Sequence, residues 1–233
     1  MQVFYSKVQD SKYNLFFIHG WGGNQHSLEC LKRQFETKYN CFLLCLSGFG
    51  SFSLEKCYKI DDYLGEIENY IFFNNLNNIV LIGHSFGGKL SLMLKKRHPE
   101  FIVIALAPSI VKNPFSLKVY LKIKLYKFLK KCHLKIPKFL LGSSDYRKAQ
   151  GYLKETFLAV HHIYFNKKEI KELTKCLLIA FLSDQEVKYT SLKKLPKINN
   201  QIVLKTLPGN HFAYQETILD LYHIINGFIE EQR

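Results

Sequence analysis

The chain has 233 residues, 47% of them hydrophobic and 22% charged. That balance excludes a disordered or fibrous chain and fits one domain, or one domain with an insertion. Its 33 basic and 19 acidic residues leave a net charge of +14, which favours acidic partners, and its longest apolar run, Phe101 to Val111, is about half a membrane span, which excludes a transmembrane segment.

The first half alternates short apolar runs with helix-period stretches. Asn14-Leu15-Phe16-Phe17-Ile18 ends at His19-Gly20-Trp21-Gly22-Gly23. Cys41 to Leu46 ends at Gly48-Phe49-Gly50, Ile79 to Ile82 at Gly83, and Phe101 to Ala107 at Pro108-Ser109. Continuous apolar runs of this length suit strands buried on both faces, as in a parallel sheet. Between them, 27–38, 61–75 and 87–98 are predicted helices. Residues 112–172 read as mostly helical. Over 116–132, Leu117, Leu121, Leu125, Phe128 and Cys132 form one stripe, with Lys118, Lys122, Lys124, Lys127, Lys130 and Lys131 outside it. That spacing predicts an amphipathic helix with a basic outer face. Further helices are predicted over 148–160 and 167–175. The strand pattern resumes at Cys176 to Leu182 and Gln201 to Lys205, and a last helix is predicted over 213–231. The expected fold is α/β: a doubly wound, mostly parallel sheet formed by 1–110 and 176–233, with a helical cap insertion at 111–175.

The cysteines at 30, 41, 45, 57, 132 and 176 form no CxxC pair and no Cys/His cluster of zinc spacing. No metal site is expected, and the thiols read as reduced ones in a cytoplasmic protein. There is no dinucleotide fingerprint, so no cofactor is implied. No nucleic-acid-binding motif or aromatic-interleaved basic stripe appears, so nucleic acid is not an expected partner.

Gly83-His84-Ser85-Phe86-Gly87-Gly88 follows an apolar run and precedes a helix-period segment. That is the setting of a nucleophile elbow, in which small neighbours let a sharp strand-to-helix turn close and leave the serine Oγ exposed. The amides opening the helix favour developing negative charge. Ser85 is the candidate nucleophile. A serine needs a base, and the base an orienting acid. His98, His161, His162 and His223 fall in helical segments, and His133 in a lysine-rich stretch. His211 lies in Leu207-Pro208-Gly209-Asn210-His211-Phe212, a loop after a strand, where chemistry gathers in open α/β sheets. It is the candidate base. Asp184 stands just past the run that ends at Leu182 and is the favoured acid; Glu186, two residues on, competes for the role. Backbone amides of Trp21 and Phe86 are the expected oxyanion donors. His19 and His84 are expected to hold their turns together.

Together these motifs resemble the α/β-hydrolase superfamily over nearly the whole chain. They run in family order: His19-Gly20-Trp21-Gly22, Gly48-Phe49-Gly50, Gly83 to Gly88, Asp184 with Val187 three on, and Gly209-Asn210-His211-Phe212. Within the superfamily the chain is similar to small bacterial hydrolases with a His-Ser-Phe-Gly-Gly elbow. Its segment Gly142 to Ala149, followed by Glu155-Thr156-Phe157, is similar to their cap. Two departures stand out. Cys45-Leu46-Ser47-Gly48-Phe49-Gly50 replaces the family's Asp-x-Pro-Gly-x-Gly, and Phe181 stands where glycine is usual. The resemblance implies a serine hydrolase that cleaves a small-molecule carboxylic ester through an acyl-enzyme. A thioesterase, an amidase or aminopeptidase-like enzyme with the same triad, and a non-catalytic binding module are the alternatives.

Residues 111–150 hold eleven Lys or Arg and one acid, Asp145. Two readings stand: a solvated basic face, or a docking surface centred on Lys122, Lys127, Lys131 and Arg147. An acyl chain on acyl carrier protein, a strongly acidic helical protein, would suit the second. Esterases that cleave the methyl ester of pimeloyl carrier protein in biotin synthesis resemble this chain in the His-Gly-Trp-Gly and Gly-Phe-Gly loops. An anionic membrane surface is the competing partner.

Overall fold

The computed structural model describes residues 1–113, 117–137 and 143–232. The first residue of the expected 116–132 helix, Lys138 and Gly142 lie outside them, as do the side chains of Leu117 and Lys118. In chain order the elements are β1 (Gln2–Ser6), β2 (Asn14–Ile18), α1 (Glu29–Lys32), β3 (Asn40–Cys45), α2 (Ile60–Phe73), β4 (Ile79–His84), α3 (Phe86–Arg97) and β5 (Ile102–Leu106). They continue with α4 (Leu117–Lys131), α5 (Ser144–Lys148), α6 (Gly151–His161), α7 (Lys167–Lys171), β6 (Cys176–Phe181), α8 (Tyr189–Leu192), α9 (Leu195–Ile198) and β7 (Ile202–Leu207). A 3-10 turn (Ala213–Gln215) and α10 (Ile218–Glu230) follow.

The seven strands form one sheet in the order β1-β3-β2-β4-β5-β6-β7. Every pairing is parallel except β1 with β3. The expected α/β doubly wound sheet is thus the fold present. Strands β2, β4 and β6 are buried along their whole length, as a sheet covered on both faces requires. Phe16 stacks on Phe42 of the neighbouring strand at 4.7 Å. Helix α2 buries Ile60, Tyr63, Leu64, Ile67 and Ile71, the stripe expected of a helix lying on a sheet. Its start is fixed by Asp62, whose carboxylate accepts the Lys59 amide at 2.7 Å. Successive strands run outward from β2 in opposite directions: β3 and β1 to one side, β4 to β7 to the other. The strand order therefore reverses between β2 and β4, and the loops leaving their carboxyl ends open a crevice there.

Several elements differ from expectation. β1 shows no continuous apolar run, because this edge strand is largely exposed and pairs on one side only. The helix expected over 27–38 is regular only at α1. Beyond it the chain tightens to three-residue bonds, Gln34 to Leu31 and Phe35 to Lys32, and these bury Phe35. The helix expected over 148–160 is α6, which begins only at Gly151; a separate short helix, α5, ends at Lys148, and extended backbone at Ala149 and Gln150 divides the two. The 167–175 helix stops at Lys171, and the Asn199 side chain donates to the carbonyls of Ile170 and Leu173 at 2.8 and 2.7 Å. The last helix breaks after the 3-10 turn.

The apolar stripe of α4 was expected to pack. Instead Leu121, Leu125 and Phe128 are 54%, 43% and 59% exposed, and Cys132 is exposed too. The remaining segments between β5 and β6 bury Ala149, Phe157, Val160 and Ile170. No described helix is long and apolar enough to cross a membrane.

The passage from β4 into α3 allows no side chain at two positions, Gly83 in the strand and Gly87 in the helix. A Cβ on Gly87 would lie 2.1 Å from the Ile18 carbonyl oxygen, and one on Gly83 would lie 2.3 Å from the Gly87 oxygen. Both obstacles are backbone, so neither can step aside. Gly87→Ala is expected to destabilise the protein by more than about 3 kcal/mol, whereas Gly227→Ala, with open space around it, should stabilise it or leave it unchanged. Chemical denaturation of both variants checks this.

Candidate active site

Ser85 follows β4 with φ 51° and ψ −106°, a conformation that costs free energy in a non-glycine residue. Its backbone is held from both sides. The Ser85 amide donates to Leu106 at 2.8 Å, and its carbonyl accepts from Lys89 and Ser109 at 3.0 and 3.1 Å. Helix α3 begins at the next residue.

Asp184 lies in the loop after β6 with its side chain fully buried. One carboxylate oxygen accepts the amides of Glu186 and Val187 at 2.7 and 2.9 Å. The other lies 2.7 Å from Nδ1 of His211. Each oxygen is thus committed, which fixes the carboxylate plane toward the imidazole. The two loops are tied directly: the Leu182 amide donates to Leu207 at 3.0 Å and that of Ser183 to Gly209 at 2.9 Å. Phe181, fully buried, ends β6 in register with Leu207, so the acid loop leaves the sheet level with the histidine loop.

Glu186 sits on the other side of the ring. Its carboxylate is 3.5 Å from His211 Nε2 and its side chain is 61% exposed. Asp184 and Glu186 therefore face opposite nitrogens of one imidazole. Ser85 and His211 line the same cavity, of about 630 Å³. Among the described residues they share no hydrogen bond.

The Trp21 indole meets Phe49, Phe86 and Phe157 edge-on, with ring centres 4.9, 5.5 and 5.2 Å away. It forms a wall between the glycine-rich loop after β2 and helix α6. Among the described residues, neither the Trp21 nor the Phe86 amide donates to a protein acceptor. A second cavity, of about 350 Å³, also reaches Ser85 and is lined by Lys89, Phe157, Val160 and His161. Lys122, Lys127, Lys131 and Arg147 are exposed on α4 and α5, away from these cavity linings.

His19 and His84 are both buried. The His84 Nε2 proton is donated to the His211 carbonyl at 2.8 Å. His19 donates from Nδ1 to the Gly20 carbonyl at 2.7 Å and accepts the Leu46 amide on Nε2 at 3.1 Å. That pair of bonds needs a neutral ring, since a cation has no acceptor. Burial pushes the pKa of His19 down to about 4 and that of His84 to about 3.

Sequence reasoning did not single out Lys89. Its signal was available: a lysine one helical turn beyond Ser85, on the same side of α3, within the run Phe86-Gly87-Gly88-Lys89-Leu90.

The family model of the alpha/beta hydrolase fold matches residues 13–119. The chain is a protein of the α/β-hydrolase fold. Over 113 residues, 45% of its length, it is 32% identical to the biotin biosynthesis bifunctional protein BioHC of Teredinibacter turnerae. It spans only 19% of that relative, and 24% to 41% of four further curated relatives. Among solved structures, a hydrolase from Pseudomonas aeruginosa superposes with a TM-score of 0.75 at 14% identity, covering 97% of this chain and 93% of that one. A lipase-esterase related protein from Clostridium acetobutylicum superposes with a TM-score of 0.70 at 20% identity, covering 97% and 98%.

The two buried histidines set a pH dependence. Their folded pKa values lie below the ordinary 6.5, so from about pH 6.5 down to about 4 the unfolded chain binds the more protons. Stability is full above about pH 6.5 and falls on acidification, by up to about 1.4 kcal/mol per pH unit for each histidine. His19→Gln should flatten the melting-temperature profile between pH 6.5 and 4, even if it lowers the plateau at pH 7.5.

Proposed function

We propose that the chain is a serine hydrolase cleaving a carboxylic ester. The observation that carries this reading is the buried His211–Asp184 pair at 2.7 Å, which lines one cavity with a serine held at positive φ on a strand-to-helix turn. Ser85 Oγ attacks the ester carbonyl while His211 takes its proton on Nε2. Asp184 keeps the proton on Nδ1 and stabilises the imidazolium. The amides of Trp21 and Phe86 bind the tetrahedral oxyanion. Collapse of that intermediate breaks the bond to the alcohol oxygen, which leaves with the proton from His211. Water then attacks the acyl-serine by the same route and releases the acid.

Nε2, which faces Glu186 at 3.5 Å, must turn to Ser85 for this sequence to run. Apo hydrogen bonds in such sites are often long and tighten with substrate. The exposed Glu186 carboxylate is cheap to displace, whereas the buried Asp184, with all its oxygens engaged, is not. This favours Asp184 over Glu186 as the orienting acid.

The residues between β5 and β6 act as the cap in this reading, since Asp145, Ala149, Leu153 and Phe157 line the cavities at Ser85. An acyl chain borne on an acidic carrier protein is the substrate form that the surface favours. The exposed α4 carries apolar side chains beside Lys122, Lys127 and Lys131, and one relative is named for biotin biosynthesis.

Ser85→Ala should lower turnover of p-nitrophenyl acetate at least about 10⁴-fold with an unchanged melting temperature, and a fluorophosphonate probe should label wild type at Ser85 only. Retained turnover in that variant would sink the reading, and an unlabelled, inactive wild type would leave a binding module. Asp184→Asn should cost about 10²-fold or more in kcat, well beyond the loss in Glu186→Gln.

For the carrier, the triple Lys→Glu change at 122, 127 and 131 should raise KM for a carrier-linked ester by about 10-fold at low salt, with a much smaller effect on p-nitrophenyl acetate. Equal effects on both substrates refute docking there.

A further inference from the structure

Lys89 is 1% exposed, and an ammonium so placed is costly unless it is paired and hydrogen-bonded. Its bonding is thin. Nζ donates to the Val160 carbonyl at a long 3.3 Å and stands 5.5 Å from the centre of the Tyr164 ring. An ammonium has three protons to donate, and among the described residues no carboxylate reaches ion-pair distance of this one. A leucine or methionine would fill the same volume without that cost, so packing alone does not account for the charge.

The side chain borders the cavity of about 350 Å³, whose walls include Trp21, Phe86, Phe157 and Val187. That size suits a small ligand with an apolar body. Four residues, Trp21, Ser85, Asp145 and Glu186, also line the larger cavity that holds His211, so they mark where the two meet. This division assigns the halves of an ester. The departing oxygen must receive its proton from His211, so the alcohol side occupies the larger cavity. The acyl side is left with the smaller one, where His211 has no place and Lys89 does.

We propose that the smaller cavity is the acyl site for a chain whose far end is a carboxylate, with the Lys89 ammonium receiving that carboxylate while Phe86, Phe157 and Val187 cover its methylenes. The inference rests on the ester-hydrolase reading only for the division of acyl from alcohol, and it takes the place of a carrier-borne methyl ester, whose acyl chain ends at the carrier and not in a carboxylate. Burial lowers the Lys89 pKa to about 8, so the group is still mostly cationic at neutral pH, and a bound carboxylate would raise it again. The other ionisable groups around the cavity do not supply the missing partner. Asp145 and Glu186 stand at the junction with the larger cavity. His161 stacks on Phe157 at 4.5 Å, and burial with neighbouring positive charge, His162 and then Lys89, lowers its pKa. Tyr164 presents its ring to the ammonium.

Two esters of equal length separate the possibilities: mono-p-nitrophenyl adipate, ending in a carboxylate, and p-nitrophenyl hexanoate, ending in a methyl. Wild type should favour the adipate ester at least about 10-fold in kcat/KM, the discrimination expected of a buried charged hydrogen bond. In Lys89→Met that ratio should fall to about one, and in Lys89→Arg it should be partly kept. A wild-type ratio near one, or a ratio that persists in Lys89→Met, overturns the proposal.

Binding provides a readout independent of turnover and of how the Met variant folds. In Ser85→Ala protein, monomethyl adipate should raise the melting temperature at concentrations where methyl hexanoate does not. Equal shifts refute the carboxylate site even if Ser85 is catalytic. A selective shift in a protein inert toward every ester would keep the site and remove the hydrolase reading.

Discussion

Gly87 lies so close to the end of β2 that the Ile18 carbonyl occupies the space of any side chain there. This backbone contact sets the depth at which α3 seats on the sheet, and with it the position of everything the helix begins with. Ser85 is forced to positive φ because the chain must turn from β4 into α3 within one residue while Gly83 and Gly87 touch. The strain is held by three backbone hydrogen bonds at Ser85, one of them to β5. The strained turn at Ser85 is thus a consequence of close packing between two glycines and their neighbours, and it would persist if the serine hydroxyl were removed.

That constraint is local in sequence, which is why it was legible there. Gly83-x-Ser85-x-Gly87 after an apolar run specifies turn, strain and exposure within five residues. Strands β2 to β6 were legible because strands buried on both faces carry uninterrupted apolar runs, and β7, though an edge strand, still carries Ile202-Val203-Leu204. β1 was not, since an edge strand with mixed exposure leaves no such run, and its pairing with β3 is settled by a partner some forty residues away. The extent of α1 and the break between α5 and α6 depend on tertiary demands, the burial of Phe35 in one case and the covering of the cavities in the other. The α4 stripe shows the limit of periodicity. Spacing placed Leu121, Leu125 and Phe128 on one face correctly, but a pattern cannot say whether the protein supplies a surface for that face. The pairing of Asp184 with His211 followed from chain order, while the place of Glu186 at the opposite nitrogen needed coordinates.

Besides His211, three buried nitrogen bases surround the serine, and they are treated differently. His19 uses both ring nitrogens against backbone groups and joins the loop after β2 to the one after β3. His84 joins the serine turn to the histidine loop through the His211 carbonyl and packs its ring 4.6 Å from that imidazole. Both are neutral struts whose hydrogen bonds offset their burial. Through His84, the turn that sets the serine also sets the backbone of the base, and Asp184 sets its side chain. Lys89 has no comparable set of partners, although a primary amine has more protons to satisfy than an imidazole. The contrast isolates it as the one base of the three whose surroundings are incomplete without a ligand.

The lysines of α4 form an exposed basic face that lines neither cavity, Lys148 lines the larger cavity, Asp145 and Glu186 stand at the junction of the two, and Lys89 borders the smaller. Long-range attraction by the α4 face is screened within about 10 Å at ordinary ionic strength, so it does not select an orientation. The carboxylates at the junction oppose an anion that stops there. Under the proposed reading, a substrate with an acidic end gains from Lys89 only when its chain has passed the junction and lies along Phe86 and Phe157, the same placement that puts its ester carbonyl over Ser85. Recognition of the charge and alignment of the reacting bond become one event, and an acyl chain that is too short to reach the ammonium forgoes both.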